Sequence, residues 1–334
     1  MYIVDSYGLA VIFCIITMLG WGSWANTLKM TDEKWEFPLY YWDYAIGLIL
    51  TTLLFGFTFG SHGDQGRGFL EDLSQANGAA LSSAFVGGVI FNLSNLLIVA
   101  ATAIAGLAVA FPIAVGLALA IGVLVNYIAT PLGNPFLLFI GLALVVAAIV
   151  VDAVAYRTLP QEKKGNQRKG ILISVISGIL MGFFYRFVAA SMTTEFATPA
   201  EGLLTPYSAM FVFTTGIFLS SFIFNTWFMY RPVTGQPVGF RDYLRLGSPR
   251  LHAIGILGGL IWCSAMEFNL MASEKAGFAI SYGLGQGATM VSAAWGVFVW
   301  KEFAAAPRST NKLLAAMFTL FILGLGLIVI ARLN

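Results

Sequence analysis

The sequence is short of charge. Asp, Glu, Lys and Arg make up only 10% of its 334 residues, against about 25% in an ordinary soluble domain. The polar shell that a water-soluble chain of this length needs is therefore missing. Cysteine is nearly absent. Cys14 and Cys263 both stand inside apolar runs, which excludes a disulfide framework and leaves two small hydrophobes. Histidine is reduced to His62 and His252, neither with metal-ligand spacing, so no metal centre is expected and no role is assigned to either. No Ser-His-Asp, Cys-His or Gly-rich phosphate arrangement occurs, which argues against an enzyme. A net charge of +2 is too small to draw nucleic acid as a partner. No basic n-region or A-x-A site accompanies the first apolar run, so it does not read as a cleaved signal peptide.

What the chain does have is long apolar runs. Hydrophobic residues are 58% of the total, in runs of about twenty, the length a helix needs to cross roughly 30 Å of hydrocarbon. Ten spans are expected, at 7–27, 39–60, 80–102, 105–129, 134–153, 170–192, 206–228, 250–273, 277–300 and 312–332. The fold class is thus an all-α polytopic membrane protein in a lipid bilayer. Pro38, Pro135, Pro206 and Pro249 stand where helices should begin, and the 36 glycines suit helices that approach closely. The connections at Thr102 to Ala105 and Glu274 to Ala276 are short enough to force antiparallel hairpins. Lysine and arginine fall 14 on one side and 3 on the other, with Arg186 left inside a span. The positive-inside rule then puts both termini outside and 157–169 in the cytoplasm. That segment reads as a solvated basic linker, free to touch anionic headgroups. It separates residues 1–156 from 170–334.

The two halves resemble each other. A shift of 171 residues lays Gly87-Gly88-Val89-Ile90-Phe91 on Gly258-Gly259-Leu260-Ile261-Trp262, and the seven residues from Thr102 on those from Ser273. A shift of 162 lays Gly8, Gly20 and Trp21 on Gly170, Gly182 and Phe183. Five spans is an odd number, so the second copy enters the membrane from the opposite side. Two inverted five-helix repeats place a solute site near the midplane between halves that rock about it. The expected class is a secondary transporter for a small polar solute.

Arg186 and Glu267 are read as the two ionisable groups deepest in spans, at nearly equal depth, so a salt bridge between them is within reach. In one reading the pair locks two helices together. In the other, which is preferred, Glu267 carries the coupling proton and Arg186 tunes it or contacts the solute. Trp21 and Trp24 share a helix face, as do Asn92 and Asn95, and Tyr282 and Gln286. Planar hydrogen-bonding heterocycles suit stacking on Trp or Tyr with amides reading their edges, and Tyr185 beside Arg186 joins this substrate-binding set. The plainer alternatives are tryptophans anchored at the membrane interface and asparagines that pin one helix to another. Asp43, near one end of its span, is a gate or relay, or a first-turn carboxylate that caps the helix dipole. The cap is preferred.

Several stretches are similar to plant ureide permeases. MYIVDSYGLAVIFCIITMLGWGSWA, YYWDYAIG and GGVIFNLSNLLIVAATAIAGLAVAFPIAVG resemble that family's first half, and SYGLGQGATMVSAAWGVFVWKEF its penultimate span. The WDY context of Asp43 matches the family's DY motif. The resemblance covers nearly the whole chain. It implies the drug/metabolite transporter superfamily, alongside bacterial rhamnose and glucose/ribose porters, and ten helices in two inverted five-helix repeats. It also implies proton-coupled uptake of neutral heterocycles such as allantoin and oxopyrimidines. The chain departs from plant members in its short linker, where nothing matches G-x-x-x-x-G-K-[ST], so ATP dependence is not expected. Arg186 and Glu267 fall outside the resemblance, which fits a bacterial branch in the inner (plasma) membrane. The expected function is alternating-access import of a small polar ureide, nucleobase or related heterocycle. It needs H+ as coupling ion, no cofactor, and a monomer or dimer. The alternative is a proton-coupled ribose- or rhamnose-like monosaccharide importer, whose site would show more polar side chains per aromatic.

Overall fold

The computed structural model describes residues 1–32, 34–159, 167–233 and 235–333, so 160–166 of the basic linker lie outside the described residues. Helix α1 (Tyr7–Ser23) starts where the Ser6 hydroxyl accepts from the Leu9 N–H, and runs on as a 3₁₀ stretch, Trp24–Met30. α2 (Phe37–Phe57) opens with Pro38 in its first turn, where a missing N–H costs no helix bond. A short α3 (Phe69–Gln75) leads to α4 (Gly78–Ala105), capped by Asn77, then α5 (Leu107–Ala129) and α6 (Pro135–Tyr156), capped by Asn134. Beyond the linker come α7 (Gln167–Ser191), α8 (Pro206–Tyr230), a short α9 (Phe240–Leu246) and α10 (Pro249–Ala276), capped by Ser248. The chain closes with α11 (Phe278–Gly285), α12 (Ala288–Ala294) with a π turn at Trp295–Val299, and α13 (Thr310–Ala331). Among the described residues no strand forms; Met192 and Leu204 make an isolated bridge.

Nine of these helices, taking α1 with its 3₁₀ tail, are long and apolar enough to cross a membrane among the described residues. They lie where the sequence places spans, with one exception. The expected span 277–300 is not one continuous helix but α11, a break at Gln286 and Gly287, α12 and a π turn. The break lies against α1: a Cβ on Gly285 would press on Trp21, and one on Gly287 would meet the Met18 sulfur.

The two tight connections are tighter than the sequence suggests. Helix continues through 102–105 and 274–276, and each turn is a single glycine, Gly106 at φ 86° and Gly277 at φ 85°. That left-handed backbone favours glycine at both places. Each glycine N–H still closes the preceding helix, on the carbonyls of Thr102 and Ser273. The helices that lead into them, α4 and α10, are both 28 residues long. Likewise α6 and α13 have 22 residues each, and α3 and α9 have 7 each.

Helix crossings are built on small residues. Gly88 of α4 meets the Phe213 carbonyl of α8, and Gly259 of α10 meets the Tyr44 carbonyl and Gly47 of α2. Polar side chains bond across the crossings: Ser94 donates to the Ser177 carbonyl (2.8 Å) and Ser177 to the Ser94 carbonyl (2.9 Å), joining α4 to α7. The outside of the bundle is apolar, with Ile12, Leu54, Ile128, Phe136, Ile223 and Ile322 all exposed. Such a surface suits acyl chains, not water. The protein is an integral membrane protein.

The ends of the bundle are closed unequally. At the end that holds Met1, buried Asp72 of α3 accepts from Arg67 Nε (2.8 Å), the Thr205 N–H (2.7 Å) and the Ser208 hydroxyl. Arg67 also donates to the Ala200 and Leu203 carbonyls (2.9 and 2.8 Å), and the Met1 amine to the Gln65 carbonyl (2.6 Å). These charge-assisted bonds clamp the loops of the two halves together. The opposite end, where α6 ends at Tyr156 and α7 begins at Gln167, is cut by cavities.

Candidate functional site

A cavity of about 520 Å³ lies between α1, α4, α5, α7, α10 and α12. Its walls are mostly aromatic and aliphatic, with a few polar groups, as small-molecule sites are. Trp21 and Trp24 face it from α1 and its 3₁₀ tail, and Trp262 from α10. The Trp21 and Trp262 rings lie 6.0 Å apart and 16° from parallel, and Phe91 stands 4.6 Å from Trp262. Asn95, Ser177, Gln286, Thr289 and Ser292 supply the polar edge. The indole N–H of Trp21 finds no acceptor among the described residues.

A second cavity of about 210 Å³ adjoins the first through shared walls at Ala25, Leu107, Phe111, Thr289 and Ser292. It is the more polar of the two and reaches the linker end. There Glu302 accepts from Lys29 (2.7 Å) and from the Tyr156 hydroxyl (2.9 Å), and Lys29 lies 4.8 Å over the Trp300 ring. Asp152 of α6 lines the same space, and its Oδ1 has no partner among the described residues. The exposed ion pair adds little stability by itself, and both of its partners line this second cavity.

The sequence-derived set divides on these walls. Trp21, Trp24, Asn95 and Gln286 line the main cavity. Asn92 does not: it is fully buried against α8, donating to Ser220 (2.7 Å) and the Ile217 carbonyl (3.1 Å). Tyr282 sits behind the wall, its hydroxyl on the Ala118 carbonyl (3.3 Å) and its ring filling the space that a Cβ on Gly122 would need. Tyr185 is buried beside it and donates to Asn269 of α10 (2.7 Å).

Arg186 and Glu267 form no ion pair. The salt bridges among the described residues are Lys29–Glu302, Arg67–Asp72, His252–Asp43 and Lys275–Glu274. Equal depth fixes only one coordinate. Each helical step turns about 100°, so while Tyr185 reaches α10, half-buried Arg186 follows Gly178 and Gly182 on the stripe that packs on α5. Glu267, fully buried, points elsewhere, one turn after Cys263, whose thiol meets the Leu48 carbonyl of α2. Neither carboxylate oxygen of Glu267 has a hydrogen-bond partner among the described residues. It lies on α10 beyond Trp262, on the clamped side of the cavity.

Asp43 is not a first-turn cap. It sits in the second turn of α2, buried, and accepts from the Tyr243 hydroxyl of α9 (2.5 Å) and from His252 Nδ1 of α10 (2.9 Å). Burial first, then the Asp43 carboxylate, pushes the Tyr243 hydroxyl above its ordinary range, so it remains a donor at neutral pH. Trp35 closes over both partners, 5.7 Å from Tyr243 and 5.3 Å from His252.

Sequence reasoning missed His252, Asp152 and Glu302. Asp152 carried a usable signal, a lone carboxylate in the apolar run IVVDAVAY, but it falls at the edge of the expected span. His252 carried none, because its partner is far away in sequence.

A family model described as ureide permease matches residues 40–169 and 162–331. Ureide permease 2 of Arabidopsis thaliana is 25% identical over 387 residues, covering 96% of this chain and 96% of that protein. Ureide permease 1 of the same plant is 23% identical over 98% of each. Transmembrane protein 144 homolog B of Dictyostelium discoideum is 26% identical over 50% of this chain and 41% of that protein. A solved crystal structure superposes with a TM-score of 0.58 over 97% of both chains at 16% identity, a likeness of fold. The chain belongs to the ureide permease family, whose members are membrane transporters and not enzymes.

Proposed function

We propose that this protein is a secondary active, proton-coupled importer of a small polar ureide, nucleobase or related heterocycle, working by alternating access. The observation that carries the reading is the main cavity, where the Trp21, Trp24 and Trp262 indoles surround a narrow polar edge containing Asn95 and Gln286. Flat faces suit stacking and amides suit a ring with alternating N–H and C=O groups. The curated relatives are named as ureide permeases, which supports the same class. A monosaccharide importer is not favoured, since a sugar needs more polar side chains than this wall offers.

The proposal includes an architecture. Counting 278–299 as a broken span gives ten, arranged as inverted repeats at 1–156 and 170–334, within the drug/metabolite transporter superfamily. Support comes from the paired helix lengths and from Gly106 and Gly277, which share one left-handed conformation. Both termini lie outside a bacterial inner membrane, by the lysine and arginine distribution. The linker end, with the second cavity, then faces the cytoplasm, so the conformation is open inward and clamped outward. Glu267 is the proton carrier, set on the outer side of Trp262 where opening of the clamp would wet it. Arg186 is not its partner.

Two measurements test this. In intact cells, a cysteine in place of exposed Glu201 is expected to react with an impermeant thiol reagent, and one in place of Arg308 to resist it. Reaction at position 308 from outside would overturn the orientation. In a thermal-shift screen of ureides, nucleobases, nucleosides and sugars, a cyclic ureide or nucleobase is expected to raise Tm, because a ligand of the native state stabilises it. Trp24→Ala should weaken that binding by about 1–3 kcal/mol, the scale of base–aromatic stacking. A shift from pentoses alone would sink the proposed class.

A further inference from the structure

An asparagine on a cavity wall is ambiguous, since it offers a donor or an acceptor according to which way its amide is turned. At Asn95 the turn is decided by a chain of bonds that begins at a backbone carbonyl on α8. The Ile217 oxygen only accepts. Ser221 and Ser220 donate to it (2.8 and 3.1 Å), which uses up their hydrogens and leaves them lone pairs. The Ile217 carbonyl, 3.1 Å from Asn92, can only accept, so Asn92 turns its Nδ2 toward α8, its two hydrogens shared among that carbonyl, Ser220 (2.7 Å) and Ser221 (3.2 Å). Its Oδ1 then faces the Tyr41 hydroxyl at 2.9 Å, and Tyr41 must donate. With its single hydrogen spent, the Tyr41 oxygen shows a lone pair to Asn95, 3.2 Å away, so Asn95 must supply Nδ2. Reversing the Asn95 amide would set two lone pairs against each other. Tyr41 and Asn92 are fully buried and Asn95 is 7% exposed, so water does not repair a wrong turn.

We infer that Asn95 presents a fixed hydrogen-bond acceptor, its Oδ1, to the main cavity and selects solutes that carry an N–H at that point. Tyr41 and Asn92 are the positioning residues that hold it so. This rests on the reading of the cavity as the solute site, and it adds the polarity of one recognised edge. A ureide ring offers N–H groups there. A ring methylated at that nitrogen places a methyl group against the acceptor and leaves it unpaired. Losing such a bond in a dry site corresponds to about a 10- to 100-fold loss of affinity. It also assigns Asn92 and Asn95, three residues apart, to different jobs: one sets the direction and the other reads the solute.

The test uses the full-length purified protein and the affinities of hydantoin, its two monomethyl derivatives methylated on either ring nitrogen, and its N,N′-dimethyl derivative. The wild type is expected to bind hydantoin and to lose about 10- to 100-fold on at least one N-methylation. In Tyr41→Phe the Asn95 amide is free to turn, so the ratio between hydantoin and its methylated forms should narrow to a few-fold. Asn92→Leu removes the same anchor from the other end and should narrow it likewise, which covers the case in which Tyr41→Phe does not accumulate. A wild type that binds the dimethyl form as well as hydantoin overturns the acceptor at Asn95. Both variants losing affinity for every probe equally, with the ratio intact, overturns the positioning role. A wild type that binds none of the probes, and no cyclic ureide or nucleobase in the thermal-shift screen, overturns the functional reading beneath it.

Discussion

Proteoliposomes carrying Glu267→Gln are expected to exchange solute across the membrane but to stop concentrating it when an inward proton gradient is applied. A gradient of one pH unit drives up to about tenfold accumulation through a one-proton symporter, the equivalent of 1.36 kcal/mol. In the variant the ratio should fall to one. Glutamine keeps the shape and removes the titrating group. It also breaks no hydrogen bond, because neither Glu267 oxygen has a partner among the described residues. The fold should therefore survive, and a loss of accumulation would report coupling. Arg186→Ala is expected to leave accumulation intact, since it strands no carboxylate. Were Glu267→Gln to accumulate solute as the wild type does, Glu267 would be eliminated as the coupling residue. The same assay on Asp152→Asn would then be the next step.

The other large effect is on assembly. Gly88→Leu and Gly259→Leu are each expected to abolish recovery of monodisperse protein. At both sites a Cβ runs into main chain on the facing helix, the Phe213 carbonyl for Gly88 and the Tyr44 carbonyl with Gly47 for Gly259. Extra methylenes in a well-filled core cost about 1–3 kcal/mol where side chains can move aside. Backbone does not move aside, so α4 must part from α8, or α2 from α10. Gly326→Leu is the control. Its Cβ meets nothing within 4 Å, and it should purify like the wild type. Size-exclusion profiles of the three variants in detergent decide the matter. A Gly88→Leu profile that matches Gly326→Leu would mean that the crossing does not depend on glycine.

These glycines also mark how far the sequence could be read. Gly88 and Gly259 stand out in the internal repeat, and the crossings give the physical reason: both allow two helices to touch backbone to backbone. The hairpins were legible for the same reason, because a connection of one or two residues leaves the chain no other direction. Rotation about a helix axis was not. Depth put Arg186 and Glu267 level, yet turned them to different neighbours. Asn92 and Asn95 share a broad face, but three steps of about 100° still separate them by some 60°. That is enough to send one into α8 and the other to the cavity. Tyr282 and Gln286 stay one helical turn apart, the Gln286 N–H on the Tyr282 carbonyl (3.1 Å), yet Tyr282 packs behind the wall on α5 while Gln286, at the helix end, lines the cavity. The Asp43 site needed Tyr243 and His252, about two hundred residues away, and no local pattern predicts such a meeting.

Asp72 and Asp43 have one more thing in common, which concerns the order in which the chain is made. Both belong to the first half, and both are completed by the second: Asp72, already paired with Arg67, gains Thr205 and Ser208, and Asp43 gains Tyr243 and His252. Asn92, bonded to Tyr41 in its own half, gains α8 in the same way. A nascent chain that has reached the linker therefore still lacks part of the bonding of two carboxyl groups and an amide. Asp43 is the most affected by this, since both of its partners come later, and a carboxylate without a partner is costly near lipid. The clamp at the Met1 end joins Arg67 and Asp72 to residues 200–208, so that closure is acquired only after the second half has been made.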